Sequence, residues 1–196
     1  MRQGITKIEI LIGVAVICLA GMFVVPGYRA KGVAEARARC LSNLSAVGDA
    51  LTAYLRDSGD IWPAVSKLQS IQTHDPEWPT LGVVLKPYLP TETDVLHCPA
   101  DRRLLPSDHK LSAKFGSRTT WRETEGASYE WLMGDAYAGK KVGQESLASA
   151  KGFGMGRADM PLISEFEPFH KGDGQGSFNT LNADLKPRTA RDEVAR

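Results

Sequence analysis

Gly4-Ile5-Thr6-Lys7-Ile8-Glu9 runs directly into nineteen residues without a charge, Ile10 to Tyr28, and the fold follows from how that junction is read. As a helix rising 1.5 Å per residue, the uncharged run spans about 28 Å, close to the hydrocarbon thickness of a bilayer, so a single crossing over 10–28 is expected. An ionised carboxylate in such a helix is costly, roughly 2.5 to 3.5 kcal/mol at the centre and less near an end. Glu9 therefore needs a partner. Cleavage between Gly4 and Ile5 creates one, because the freed amine of Ile5 is mostly protonated at neutral pH and lies one helical turn before Glu9. Glu9 can equally reach the amine of a neighbouring helix, a contact that fixes axial register and makes a polymer.

The pattern resembles the class III signal of type IV pilins and type II secretion pseudopilins: Gly, then Phe or Met, Thr, Leu, Ile, Glu and an apolar run. Here it reads Gly4, Ile5, Thr6, Lys7, Ile8, Glu9, with Ile5 in place of the usual Phe and Lys7 where Leu is commonest. The resemblance implies removal of a 1–4 leader by a prepilin peptidase, N-methylation of Ile5, and assembly through Glu9. Pro26 falls where many helices of that family carry a gentle kink. Lys7 and Arg2 suit a cytoplasmic N-terminus by the positive-inside tendency. A secretory signal peptide or plain signal anchor is the competing reading of a charged start before an apolar core. Against it stand a leader of four residues, the poor cleavage site Ala20-Gly21, and the acid within the apolar region.

The 196 residues, with a formal net charge of +1, allow one modest globular domain beside the N-terminal helix. So even a charge balance argues against a nucleic-acid partner. The basic run Arg29, Lys31, Arg37 and Arg39 is read as a solvated stem or a contact with anionic headgroups.

Past the uncharged run, Cys40, Leu44, Val47, Leu51 and Tyr54 recur at spacings of four and three, with Leu41, Gly48 and Leu55 beside them. That periodicity continues the helix, so 5–58 becomes one rod of roughly 80 Å ending near Asp57 to Asp60, where Ser58-Gly59 has C-cap chemistry. The expected fold is α+β: a long N-terminal helix, membrane half plus amphipathic half, packed on a small loop-rich antiparallel sheet within 59–196. This is the ladle of the pilin family. Prolines punctuate the first half of the globular part. A short helix is expected over Leu81 to Leu89, and strands over Ser128 to Met133, Met160 to Phe166 and Ser177 to Leu185, two to four in all. Several strings are similar to the planctomycete and verrucomicrobial-type branch of the family: Cys40-Leu41-Ser42-Asn43-Leu44, His97-Cys98-Pro99-Ala100-Asp101, and Leu181-Asn182-Ala183-Asp184. Leu185-Lys186 stands where that branch has Gly-His.

Of three cysteines, Cys18 lies in the apolar run, whereas Cys40 sits on the helix stripe facing the domain that holds Cys98. In the oxidising periplasm implied by the family a bridge between Cys40 and Cys98 is expected; two free buried thiols are the alternative. His74, His97, His109 and His170 show no zinc-ligand spacing, so no metal site is expected. Calcium is the one cofactor weighed, through His170 with Asp173 and Asp184, or Glu165 with Glu167, although the Asp-x-Asp-x-Asp loop is missing. Glycine-rich Lys171 to Gly176 is read as a connection, for it lacks a Walker lysine. No nucleophile elbow or Cys-His signature occurs, so no enzyme is expected.

The function expected is a structural subunit of a secretion pseudopilus or type IV pilus-like fibre, anchored in the inner membrane with its globular part periplasmic. The implied partners are the prepilin peptidase, a platform protein with its assembly ATPase, membrane lipid, and copies of itself or related subunits. The rival is a membrane-anchored periplasmic binding module that does not polymerise, taking glycans on Trp62, Trp78, Trp121 and Trp131, residues otherwise read as core or interface.

Overall fold

A computed structural model describes residues 7–66, 78–92, 94–105, 108, 109, 112–143, 157–170 and 177–191. At positions 9, 20–30, 113, 114, 135, 136, 157, 190 and 191 it describes the main chain alone. The fold is α+β, a long helix with a four-stranded antiparallel sheet.

Helix α1, Lys7–Asp57, is one element of 51 residues, and Pro26 lies inside it. Its C-terminal half buries Cys40, Leu44, Val47, Ala50, Leu51 and Leu55 and leaves Ser42, Ser45, Asp49 and Arg56 in solvent, the single stripe that period 3.6 requires. Tyr54, expected on that stripe, is half-buried, its ring edge-on to Tyr88 at 6.0 Å between centroids. Gly59 ends the helix by adopting φ 70°, which lets the Asp60 amide donate back to the Leu55 carbonyl at 2.7 Å. This is the six-to-one closure of a Schellman cap.

The strands are β1, Tyr129–Trp131, β2, Pro161–Glu165, β3, Ser177–Asn182, and β4, Pro187–Arg191, side by side in chain order. Tyr129 pairs with Glu165, Ile163 with Leu181, and Phe178 with Ala190, with a register irregularity between Pro161 and Ile163. Every residue of β2 from Leu162 to Glu165 is buried, because both sheet faces are covered there. Helix α1 packs on β3 and β4. Gly48 permits that approach: a Cβ at this position would stand 3.0 Å from the Leu185 carbonyl oxygen and 3.1 Å from Leu181 Cδ1.

The apolar pattern predicts one strand through to Leu185. Instead the chain turns after Asn182, with the Asn182 amide donating to the Lys186 carbonyl and Leu185 held at φ 58°. It returns as β4, an edge strand opening on Pro187, the place in a sheet where a missing N–H is harmless. The helix expected to Leu89 is shorter, α2, Leu81–Leu85, capped by the Thr80 hydroxyl accepting from the Val83 amide. Pro87 has no N–H with which to extend it. Three short helices have no counterpart in the sequence expectation: α3, Ser112–Phe115, α4, Trp121–Glu125, and α5, Gly134–Tyr137. Of these α4 has its own start signal, a capping box in which the Thr120 side chain and Glu123 serve each other's backbone amides.

Aromatic residues fill the rest of the core. Trp62 meets Tyr137 at 5.5 Å and Trp131 at 6.2 Å, while Trp121 stacks on Phe166 at 4.4 Å and meets Phe115 edge-on at 4.8 Å.

Candidate functional site

Two regions carry the residues that matter: the exposed start of α1 and the place where its middle is fastened to the sheet. Gly4 and Ile5 lie outside the described residues, and so do the side chains of Glu9 and Pro26, whose main chain is helical. The described large apolar side chains of the first turns, from Ile8 to Leu19, stand 55% to 73% exposed. Among the described residues no helix is long and apolar enough to cross a membrane; the expected 10–28 span runs into positions 20–30, whose side chains are not described. Free Cys18 is exposed on the same segment.

The fastening is covalent. Cys40 of α1 and Cys98 are joined by a disulfide with Cα atoms 5.1 Å apart. Hydrogen bonds reinforce it from both sides. The Asn43 side-chain amide donates to the His97 carbonyl at 2.7 Å, and the Cys98 backbone amide donates to the Ser128 hydroxyl at 3.0 Å. Ser128 in turn donates to Asp101, which also accepts the amides of Trp121 and Arg122 at the start of α4. Asn43 and the His97 to Asp101 string thus have a structural role: they bind stem, loop and short helix together.

Beneath the disulfide lies a buried polar cluster. Glu165, at the end of β2, accepts the Asn179 amide at 2.8 Å, the Asn179 side-chain amide at 3.1 Å and a contact from His170 Nε2 at 3.0 Å. The same Nε2 lies 3.6 Å from Cys98 Sγ. Cys40, Cys98, Glu165 and His170 each have 0% exposure. Arg37, from the basic run, reaches into this region and donates to the His170 carbonyl and the Ser177 hydroxyl. For Arg37 this corrects the reading of a solvated or lipid-facing cation. Burial, and then the charge of Glu165, hold the Tyr129 hydroxyl well above the ordinary phenol range.

These contacts decide what the cluster can do. A hydrolytic triad needs the acid on the ring nitrogen opposite the nucleophile, whereas here sulfur and carboxylate converge on one nitrogen and Nδ1 has no hydrogen-bond partner among the described residues. Complete burial also denies any substrate access. Among the described residues this is the only group of three or more His, Cys, Asp or Glu ligand atoms that converge, all within 4.8 Å of one another.

The calcium sets read from sequence are not assembled. Glu167 spends its oxygens on Trp121 Nε1 at 2.7 Å and the Leu104 amide at 3.0 Å. Asp184 pairs with Arg188 at 2.8 Å, a contact that holds its carboxyl below the usual range, and Asp173 and the Lys171 to Gly176 connection lie outside the described residues. Trp62, Trp121 and Trp131 are buried, leaving half-buried Trp78 alone to face a ligand.

Sequence reasoning missed the convergence of Glu165, His170 and Asn179 on the bridge. Only the apolar spacing around Cys40 hinted at it, because the partners come from β2, the loop after it and β3. No family model, curated protein or solved structure matches the chain.

Proposed function

We propose that the chain is a structural subunit of a pilus-like fibre, of the secretion pseudopilus or type IV pilus kind, that polymerises through its N-terminal helix. One observation carries the reading. A single helix has a buried stripe on its C-terminal half and, from Ile8 to Leu19, apolar side chains more than half exposed, flanking the acid of the Gly4 to Glu9 signal. Such side chains need a cover. Lipid covers them while the subunit waits in the inner membrane, and neighbouring helices cover them in the fibre.

In this reading a prepilin peptidase removes 1–4, the freed Ile5 amine is methylated, and Glu9 meets the amine of the adjoining subunit. A platform protein and its ATPase draw the subunit upward. The globular part faces the periplasm, and the helix with its sheet forms the ladle. The glycan-binding alternative has lost three of its four tryptophans to the core.

The test has two parts. The mass of the mature N-terminal peptide should be that of a chain starting at methylated Ile5. Glu9→Val should insert in membranes as well as wild type but be missing from sheared fibres. Unprocessed protein, or undiminished incorporation of the variant, would sink the proposal.

A further inference from the structure

We propose that the Cys40–Cys98 bridge and the buried pair beneath it are two states of one site: a disulfide when oxidised and, when reduced, a site for zinc or a similar divalent ion built from both cysteines, the histidine and the glutamate. The inference stands apart from the fibre reading and rests on the juxtaposition of Cys40 and Cys98 Sγ, His170 Nε2 and Glu165 Oε1.

The distances favour it. Tetrahedral zinc, with Zn–S about 2.3 Å and Zn–N about 2.0 Å, places sulfur about 3.5 Å from nitrogen and nitrogen about 3.3 Å from oxygen. Cys98 Sγ lies 3.6 Å and Glu165 Oε1 3.0 Å from His170 Nε2. Two edges of the tetrahedron are therefore already near their final lengths. The edge that must open is the one between the sulfurs, which reduction releases. Glu165 is oriented by Asn179 from both its backbone and side-chain amides, and the Asn179 side-chain oxygen is fixed by Thr189. That is the kind of second layer metal-binding carboxylates require.

The chemistry balances. A dithiol reductant attacks the bridge, the S–S bond breaks, each cysteine sulfur gains one electron and one proton, and the reductant leaves as its own disulfide. The ion then displaces both thiol protons. His170 offers the Nε2 lone pair with its proton on Nδ1, the ring nitrogen that has no partner among the described residues. Two thiolates, a carboxylate and a neutral imidazole around a divalent ion leave one net negative charge. Arg37, bonded to the His170 carbonyl, is the nearby cation that offsets it. Without an ion, reduction would leave two thiols and a carboxylate crowded in a fully buried site. With it, the stem stays fastened to the sheet by coordination rather than by a covalent bond.

Cobalt(II) is the probe. The full-length protein in mild detergent is divided into an oxidised sample and one reduced with dithiothreitol and desalted without oxygen, and both are titrated. Reduced protein should bind one cobalt per chain with thiolate charge-transfer absorption and the strong visible bands of a tetrahedral ion, and zinc should raise its melting temperature. Oxidised protein should show none of this. Glu165→Gln and His170→Gln should each weaken binding on the order of tenfold or more. X-ray absorption of the zinc-loaded wild type should count two sulfur and two lighter ligands, which keeps the test decisive if a variant does not fold. Absence of cobalt bands in the reduced chain overturns the proposal. So does undiminished affinity in both variants, or four sulfurs about the ion, since either marks cysteines binding in an opened or associated chain.

Discussion

Breaking the Cys40–Cys98 bridge should weaken the globular part by an amount the chain itself sets. The two cysteines are 58 residues apart. Releasing a loop of that length returns chain entropy to the unfolded state, worth about 4 kcal/mol in the loop-closure treatment. Whole domains are stable by only about 5 to 15 kcal/mol, so roughly a quarter or more of the total is involved. For a folding unit of about 140 residues the loss corresponds to a fall of roughly 14 °C in melting temperature. The experiment compares oxidised protein with protein reduced in the presence of a chelator, so that no ion can replace the bond. Urea unfolding in mild detergent is followed by tryptophan fluorescence, for which buried Trp62, Trp121 and Trp131 are suitable reporters. The slope against urea should steepen, because the unlinked denatured chain exposes more surface. A stability loss below about 1 kcal/mol would refute the reasoning and mean that the stem is held by packing and hydrogen bonds, with the bond incidental.

Gly48→Ala should destabilise, although alanine favours a helix by about 1 kcal/mol. The added carbon would press on the Leu185 carbonyl in a hydrogen-bonded turn, and overpacking of this kind costs about 1 to 3 kcal/mol; a raised melting temperature in the variant would contradict the packing of α1 on that turn. Asp184 should show in acid. Its hydrogen bond to Arg188 depresses its folded pKa, so its contribution is fully present above the ordinary aspartate value near 3.9 and is lost as pH falls through the folded one. The gap in melting temperature between wild type and Asp184→Asn should therefore close below about pH 4, and a gap constant from neutral pH down to about 3 would deny the ion pair any role.

The parts of the fold legible in sequence are those with a local cause. The stripe from Cys40 to Leu55 and its glycine stop follow from periodicity and backbone freedom, and β1, β2 and β3 fall within apolar runs. β4 is hidden because a proline followed by Arg188, Thr189 and Arg191 reads as a tail; it is a strand only because β3 offers it an edge. The short helices depend on caps a few residues long, Thr120 with Glu123 being the clearest in retrospect. The buried cluster is the least legible. Glu165 and His170 are five residues apart, yet what they meet comes from α1, the Cys98 loop and β3, and no spacing rule joins four segments. The signal at Gly4 to Glu9 is the reverse case, plain in sequence, while Gly4 and Ile5 and the Glu9 side chain lie outside what the structure describes.

The position of the bridge along α1 has a mechanical consequence. Cys40 is the first fully buried residue of the stripe, so it lies where the projecting half of the helix departs from the sheet. A tug on that half loads the joint at this end, where an interface of apolar contacts would begin to peel one side chain at a time. A covalent tie there forbids the first step. Traction must then be borne by the contacts from Leu44 to Leu55 in shear, all at once, and a chain pulled by the start of α1 would keep its globular part attached.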